Sequence, residues 1–181
     1  MGTLASLIPF IGAALVALLG RWPNLREAVN LLTAVLLFLV VVSLVPQVNA
    51  GDYPTFSLLE IMPGLRISFE VEPLGLLFAL VASGLWIVTS IYTIGYMRAH
   101  HDPHQARFSA FFSLTIAAAV GIAFAGNCFT LFIFYEMMTL VTYPLVTHEG
   151  TDEAVRAGRI YLGYLFATSV GLLLLAVIWT W

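Results

Sequence analysis

The sequence predicts an all-α polytopic membrane protein of six transmembrane helices, with a short β-hairpin in the outward loop between helices two and three. Three observations carry that prediction. Of the 181 residues, 61% are hydrophobic and only 9% are charged, with a mean hydropathy of +0.98. A water-soluble domain carries about 25% charged residues, so this chain lacks the charge to cover a water-facing surface. The apolar residues also fall into runs of the ~20 needed to cross ~30 Å of hydrocarbon. These runs are too long and too uniform for barrel strands, which leaves helices.

The same numbers exclude other classes. Disorder needs low hydrophobicity and high charge. A net charge of −3, with seven arginines and no lysine, is no nucleic-acid footprint. One cysteine, Cys128, builds neither a disulfide framework nor a thiolate metal site within this chain.

The spans are taken in order as residues 3–20, 27–45, 73–97, 108–125, 128–146 and 154–181, all within a single membrane domain, 1–181. The first lacks the basic leading region and the small-residue cleavage site of a signal peptide, so it is expected to stay as a helix. Between the second and third spans, Leu65-Arg66-Ile67-Ser68-Phe69-Glu70-Val71 alternates apolar and polar residues at period two behind a Pro63-Gly64 turn. A hairpin of residues 57–61 against 65–71 is expected there, packing on the membrane surface or on a neighbouring subunit. The same loop carries the acids Asp52, Glu60, Glu70 and Glu72. The last span is long, and its first turns are expected to project as an amphipathic extension.

Loop charges set an expected orientation. Arg21 and Arg26 lie between spans one and two, Arg98 and Arg107 between three and four, and Arg156 and Arg159 after span five. These positions share one side, which the positive-inside rule makes cytoplasmic. Arg66 stands alone opposite. Both termini then face outward, in a multi-pass protein of the inner (cytoplasmic) cell membrane.

Chemistry concentrates on Glu136. It sits mid-way along span five, preceded by Phe129, Leu131, Phe132, Ile133 and Phe134. Placing a carboxylate at that depth costs about 2.5–3.5 kcal/mol on insertion scales, so the default reading is an ion pathway rather than a helix lock. Thr139, Tyr143 and Thr147 follow at i+3, i+7 and i+11, a stripe within roughly 60° at ~100° per residue. The stripe runs toward the arginine-rich end, whereas Phe129 and Phe132 on the other side offer no hydrogen bonds. Pro144 withholds an N–H from the Leu140 carbonyl and favours a kink. His148, next to Glu149, stands at the mouth of the stripe; imidazole is the side chain that changes charge between pH 5 and 8. These five, Glu136, Thr139, Tyr143, Thr147 and His148, form the expected proton pathway.

Other polar groups read as packing or solvent contacts. Tyr161, Tyr164 and Thr168 repeat at helical spacing in span six but suit an interfacial belt. Ser83, Ser90 and Thr93 read as packing residues, and Trp86, Tyr92 and Tyr96 as aromatic filler or belt. His100, His101, Asp102 and His104 cluster in a loop where Pro103 breaks any regular ligand spacing, so a solvated loop is expected. No histidine lies within a span to hold a haem, and neither a phosphate loop nor a zinc motif is present. No cofactor, metal or catalytic residue is expected.

Four stretches carry a family resemblance: Phe69-Glu70-Val71-Glu72-Pro73-Leu74, Tyr92-Thr93-Ile94-Gly95-Tyr96-Met97, Phe134-Tyr135-Glu136-Met137-Met138 and Tyr143-Pro144-Leu145-Val146-Thr147-His148. Together they resemble the N-terminal part of the antiporter-like subunits shared by respiratory complex I, membrane-bound hydrogenases and Mrp-type sodium/proton antiporters. The last stretch resembles the Mrp D-type and hydrogenase branch most, and Tyr135 stands where many members carry tryptophan. The resemblance implies that Glu136 belongs to a proton path and works with buried lysines on later helices. Full members continue into inverted repeats and broken helices. The expectation is therefore a proton-path component of a multisubunit cation/proton antiporter, with a partner chain carrying the later helices and lysines. Protons, and sodium as a further candidate, would be the ions moved, and the lipid bilayer the surrounding partner. The alternatives are a membrane-arm subunit of a proton-pumping NADH:quinone oxidoreductase or hydrogenase-type complex, and a structural scaffold without conduction of its own.

Overall fold

The computed structural model describes residues 2–100 and 104–180. Helix α1 covers Gly2–Leu18 and α2 Pro23–Asn49; strands β1, Thr55–Met62, and β2, Leu65–Glu70, follow. Then come α3, Pro73–Ala99, α4, Gln105–Ala123, α5, Cys128–Val146, and α6, Asp152–Thr168. Helix α6 passes through a π turn at Ser169–Leu173 into α7, Leu174–Thr180, giving one 29-residue apolar rod.

Among the described residues, five helices are long and apolar enough to cross a membrane: α2, α3, α4, α5 and the α6–α7 rod. The sixth expected span, α1, is apolar but has 17 residues, about 26 Å at 1.5 Å per residue. It reaches the short end of the spanning range and is held by packing against α2 and α4. Helix α4 lies between α1, α3 and α5, and α2 packs on α3. The core runs through Leu37, Val41 and Leu44 of α2, Trp86 of α3 and Val120 and Phe124 at the end of α4, all of them buried.

The helix ends follow local chemistry. Pro23 opens α2 at a position where its missing N–H is not needed, so α2 starts four residues earlier than expected. Arg26, read as a loop residue in the sequence, therefore lies in the first turn of α2 and is buried. Helix α4 ends at Ala123 rather than 125 because the next residues pair with the hairpin. The Phe124 carbonyl accepts the Glu70 N–H at 2.9 Å, and the Gly126 N–H donates to the Ser68 carbonyl at 2.9 Å. Asn127 caps α5, its side-chain oxygen accepting the Thr130 N–H at 2.7 Å. Thr151 does the same for α6 through the Ala154 N–H at 3.1 Å, with Asp152 and Glu153 placed favourably in the first turn.

The hairpin is antiparallel, in the register Thr55↔Glu70, Phe56↔Phe69 and Met62↔Leu65. Pro63 and Gly64 form its two-residue turn, Gly64 at φ +86°, a conformation glycine adopts without steric cost. Period-two alternation buries Phe69 and places Arg66 in the open. Phe69 stacks on Phe56 at 4.8 Å and meets the edge of Phe134 of α5 at 5.4 Å. The hairpin thus seats on the start of the helix that carries Glu136.

Candidate functional site

Glu136 lies half-way along α5, two residues beyond Phe134. Phe134 itself is pressed against Gly121 of α4, where any Cβ would strike its ring. This close approach brings α4 and α5 together, and both carboxyl oxygens of Glu136 are buried. Neither has a hydrogen-bond partner among the described residues. A buried polar atom without a partner is rare in folded proteins, and for a carboxylate the penalty is several-fold larger than for a neutral group. The orphaned carboxyl is the strongest chemical signal in the chain.

The expected stripe divides. Thr139 is buried on α5, at 2% exposure. Tyr143 and Thr147 face α6 at Gly158, where a Cβ would collide with the Thr147 methyl and crowd the Tyr143 ring. The Thr147 hydroxyl donates back to the Tyr143 carbonyl at 3.0 Å. Helix α5 runs through Pro144 to Val146. Tyr143 and Thr147 thus share the α6 side of α5, and helical spacing sets Glu136 within ~20° of both around the helix axis.

His148 points elsewhere. Its ring meets the edge of Phe108 of α4 at 5.3 Å, and its carbonyl accepts Arg107 Nη2 at 3.0 Å. The structure therefore places His148 on the α4 side of the α5 terminus, while Tyr143 and Thr147 lie on the α6 side.

Among the other sequence candidates, Tyr161 and Tyr164 are exposed, and Thr168 bonds back to the Tyr164 and Leu165 carbonyls at 3.0 and 2.9 Å. This suits a belt at the lipid-facing surface. Trp86 is core filler, at 1% exposure, with its indole N–H lacking a partner among the described residues. Tyr92 and Tyr96 are exposed and stacked at 5.9 Å. The Tyr96 ring also stacks on His100 at 4.2 Å. His101, Asp102 and Pro103 lie outside the described residues; among those described, no group of three or more metal-ligating side chains forms.

Sequence reasoning missed two features. The π turn at Ser169–Leu173 faces an open apolar groove of about 390 Å³ lined by Leu131 and Tyr135 of α5. Single π turns inside α-helices recur at functional sites, but they carry no compositional signature. The second is a polar cluster between α2, α3 and α4. Asn30 Nδ2 donates to Ser90 Oγ at 3.1 Å, and Ser113 Oγ donates to Asn30 Oδ1 at 3.0 Å. Ser90 looked like a packing residue because its partner is 60 positions away.

Comparison with known proteins follows the same lines. Residues 63–109 match the family model described as NADH-Ubiquinone oxidoreductase (complex I), chain 5 N-terminus. The chloroplastic NAD(P)H-quinone oxidoreductase subunit 5 of Chaetosphaeridium globosum is 26% identical over 149 residues, 78% of this chain and 22% of that protein. The D component of a probable K(+)/H(+) antiporter from Rhizobium meliloti (strain 1021) is 27% identical over 164 residues, 88% of this chain and 30% of that protein. The chain thus spans less than a third of the length of either relative. Among solved structures, a chain of the membrane-bound sulfane sulfur reductase, an archaeal respiratory membrane complex, shares the fold. The TM-score is 0.76 at 22% identity, covering 89% of this chain and 33% of that one. The chain is similar to parts of these membrane subunits, residues 63–109 to the N-terminus of chain 5, and it is a multi-pass helical membrane protein.

Proposed function

We propose that this chain is a proton-path component of a multisubunit monovalent cation/proton antiporter, of the Mrp D type, with Glu136 as its intramembrane proton carrier. The observation that carries the proposal is the Glu136 carboxyl, buried at both oxygens and without a hydrogen-bond donor among the described residues. A mid-helix carboxyl with no structural partner among the described residues fits the default reading of intramembrane acids as parts of an ion pathway. Tyr143 and Thr147 lie on its face of α5 toward the arginine-rich end and are suited to order water along it. Thr139 extends that face, and His148 is a proton acceptor at the same helix end, reached from the α4 side. A cationic or hydrogen-bonding partner for Glu136 comes, in this reading, from polypeptide outside the helices described here. The complex would sit in the inner cell membrane, with the arginine-rich loops cytoplasmic. Sodium and potassium are both candidate counter-ions.

The alternative places the chain in the membrane arm of a redox-driven pump. It is favoured by the match of residues 63–109 to the complex I chain 5 N-terminus. Glu136 keeps the same task there, and the driving reaction lies in other subunits.

The test is Glu136→Gln in the complex purified from its native membrane and reconstituted into vesicles. Coupled proton flux should fall to background while the subunit composition stays unchanged. Undiminished flux in an assembled complex would sink the proposal and leave Glu136 as a helix lock. Mass spectrometry of the subunits travelling with the chain separates the antiporter from the redox pump.

A further inference from the structure

At the arginine-rich end, Arg26 and Gln105 tie the ends of four helices together. Arg26, in the first turn of α2, is only 5% exposed. Its Nη2 donates to Gln105 Oε1 of α4 at 2.8 Å, and its Nη1 to the Gly20 carbonyl, just past α1, at 3.5 Å. Gln105 Nε2 carries the link on to the Met97 carbonyl of α3 at 3.2 Å. The charge is balanced locally, because Glu27 lies 3.7 Å from Arg26 Nη2 and also accepts Arg98 Nε at 3.1 Å. What remains is Arg26 Nε, a buried donor with no partner among the described residues. Such donors are rare, since burial removes their hydrogen bond to bulk water and supplies none in exchange.

Arg26 also lines a cavity of about 10 Å³ between α2, α3 and α4, the space of about one water. Glu27, Asn30, Ser90, Thr93 and Ser109 are among the residues around it. Empty cavities in proteins are apolar, whereas a polar cavity with two to four hydrogen-bonding neighbours holds water. The side chains present select the occupant. Nε–H needs an acceptor, which a metal cation is not, and the guanidinium repels a cation as well. An anion would meet the Glu27 carboxylate. Water accepts from Nε and still has two protons to give to the carboxylate and hydroxyl oxygens around it.

We infer that this cavity is the binding site of one structural water, which accepts from Arg26 Nε and completes the hydrogen bonding of the guanidinium. Arg26, Gln105 and that water together form a clasp that fixes the arginine-rich ends of α1, α2, α3 and α4. The clasp is independent of Glu136 and of which ions the complex moves.

Ser109 is the position that tests it. Ser109→Val and Ser109→Thr add nearly the same volume to the cavity and take the room of the water. Threonine keeps a hydroxyl that can serve Nε as acceptor, and valine does not. The readout is amide hydrogen exchange in the complex purified from its native membrane, followed over the α1–α2 turn and the first turns of α4. Exchange there should speed up about fivefold or more in Ser109→Val, the effect of leaving a buried donor unpaired. In Ser109→Thr it should stay within about twofold of the parent. Overpacking would speed exchange equally in both variants, and filling a dry cavity would slow it in both. Either of those results overturns the water site. A cryo-EM map of the parent complex that shows ordered water elsewhere gives a second, direct reading. Density within hydrogen-bond distance of Arg26 Nε is expected; a cavity without it overturns the inference, and this reading decides alone should Ser109→Val fail to assemble.

Discussion

The hydroxyl of Thr130 accepts the backbone N–H of Ser68 at 3.0 Å, tying strand β2 to the first turn of α5. Asn127 completes the joint. Its amide donates to the Arg66 carbonyl at 2.8 Å and to Ser68 Oγ at 2.7 Å, while its oxygen caps the helix. One side chain therefore starts the helix that bears Glu136 and fastens the hairpin across it.

Asn127→Ala should cost about 1–2 kcal/mol, the worth of an N-cap with its attached hydrogen bonds. Asn127→Ser keeps an acceptor for the Thr130 N–H but loses the two donated bonds, and should fall between. Thermal unfolding in mild detergent would order the three proteins; an alanine variant as stable as the parent contradicts the joint.

Phe69 is 1% exposed, between Phe56 and Phe134. Phe69→Ala should destabilise the protein by about 3–5 kcal/mol and free the hairpin. Limited trypsin digestion reads this directly, because Arg66 is the one tryptic site within the hairpin. Cleavage after Arg66 should be markedly faster in the variant.

At Gly158 a methyl group has nowhere to go, with the Thr147 methyl and the Tyr143 ring in its place. Gly158→Ala should push α6 off α5 and cost about 1–3 kcal/mol. The fluorescence of Tyr143 is lost among that of the other aromatic residues, so a cysteine pair across the two helices is the better probe. Its cross-linking should slow in the variant.

Orientation is open to a simple labelling experiment. With Cys128 replaced by alanine, Ser57→Cys on the exposed strand and Glu149→Cys beyond α5 report the two sides. A membrane-impermeant maleimide should label Ser57→Cys in intact cells, and Glu149→Cys only after permeabilisation. The reverse pattern would invert the assignment made from the arginines.

The helical membrane fold, the hairpin and the mid-helix position of Glu136 were legible in the sequence because each is written locally. Apolar runs, period-two alternation and a Pro-Gly pair act over neighbouring residues, so they survive without knowledge of the rest of the chain. Helical spacing likewise put Tyr143 and Thr147 on the Glu136 side of α5. Tertiary structure alone decided which neighbours those faces met. It buried Arg26, which charge counting had placed in a loop, and joined Asn30 to Ser90 and Ser113 across 60 and 83 positions. It turned His148 toward Phe108, cut α4 short where the hairpin claims its backbone, and left the Glu136 carboxyl without a donor among the described residues. The physical reason is range. Burial and periodicity follow from each residue's own transfer energy, whereas hydrogen-bond partners between distant helices exist only once packing has brought them within about 3 Å.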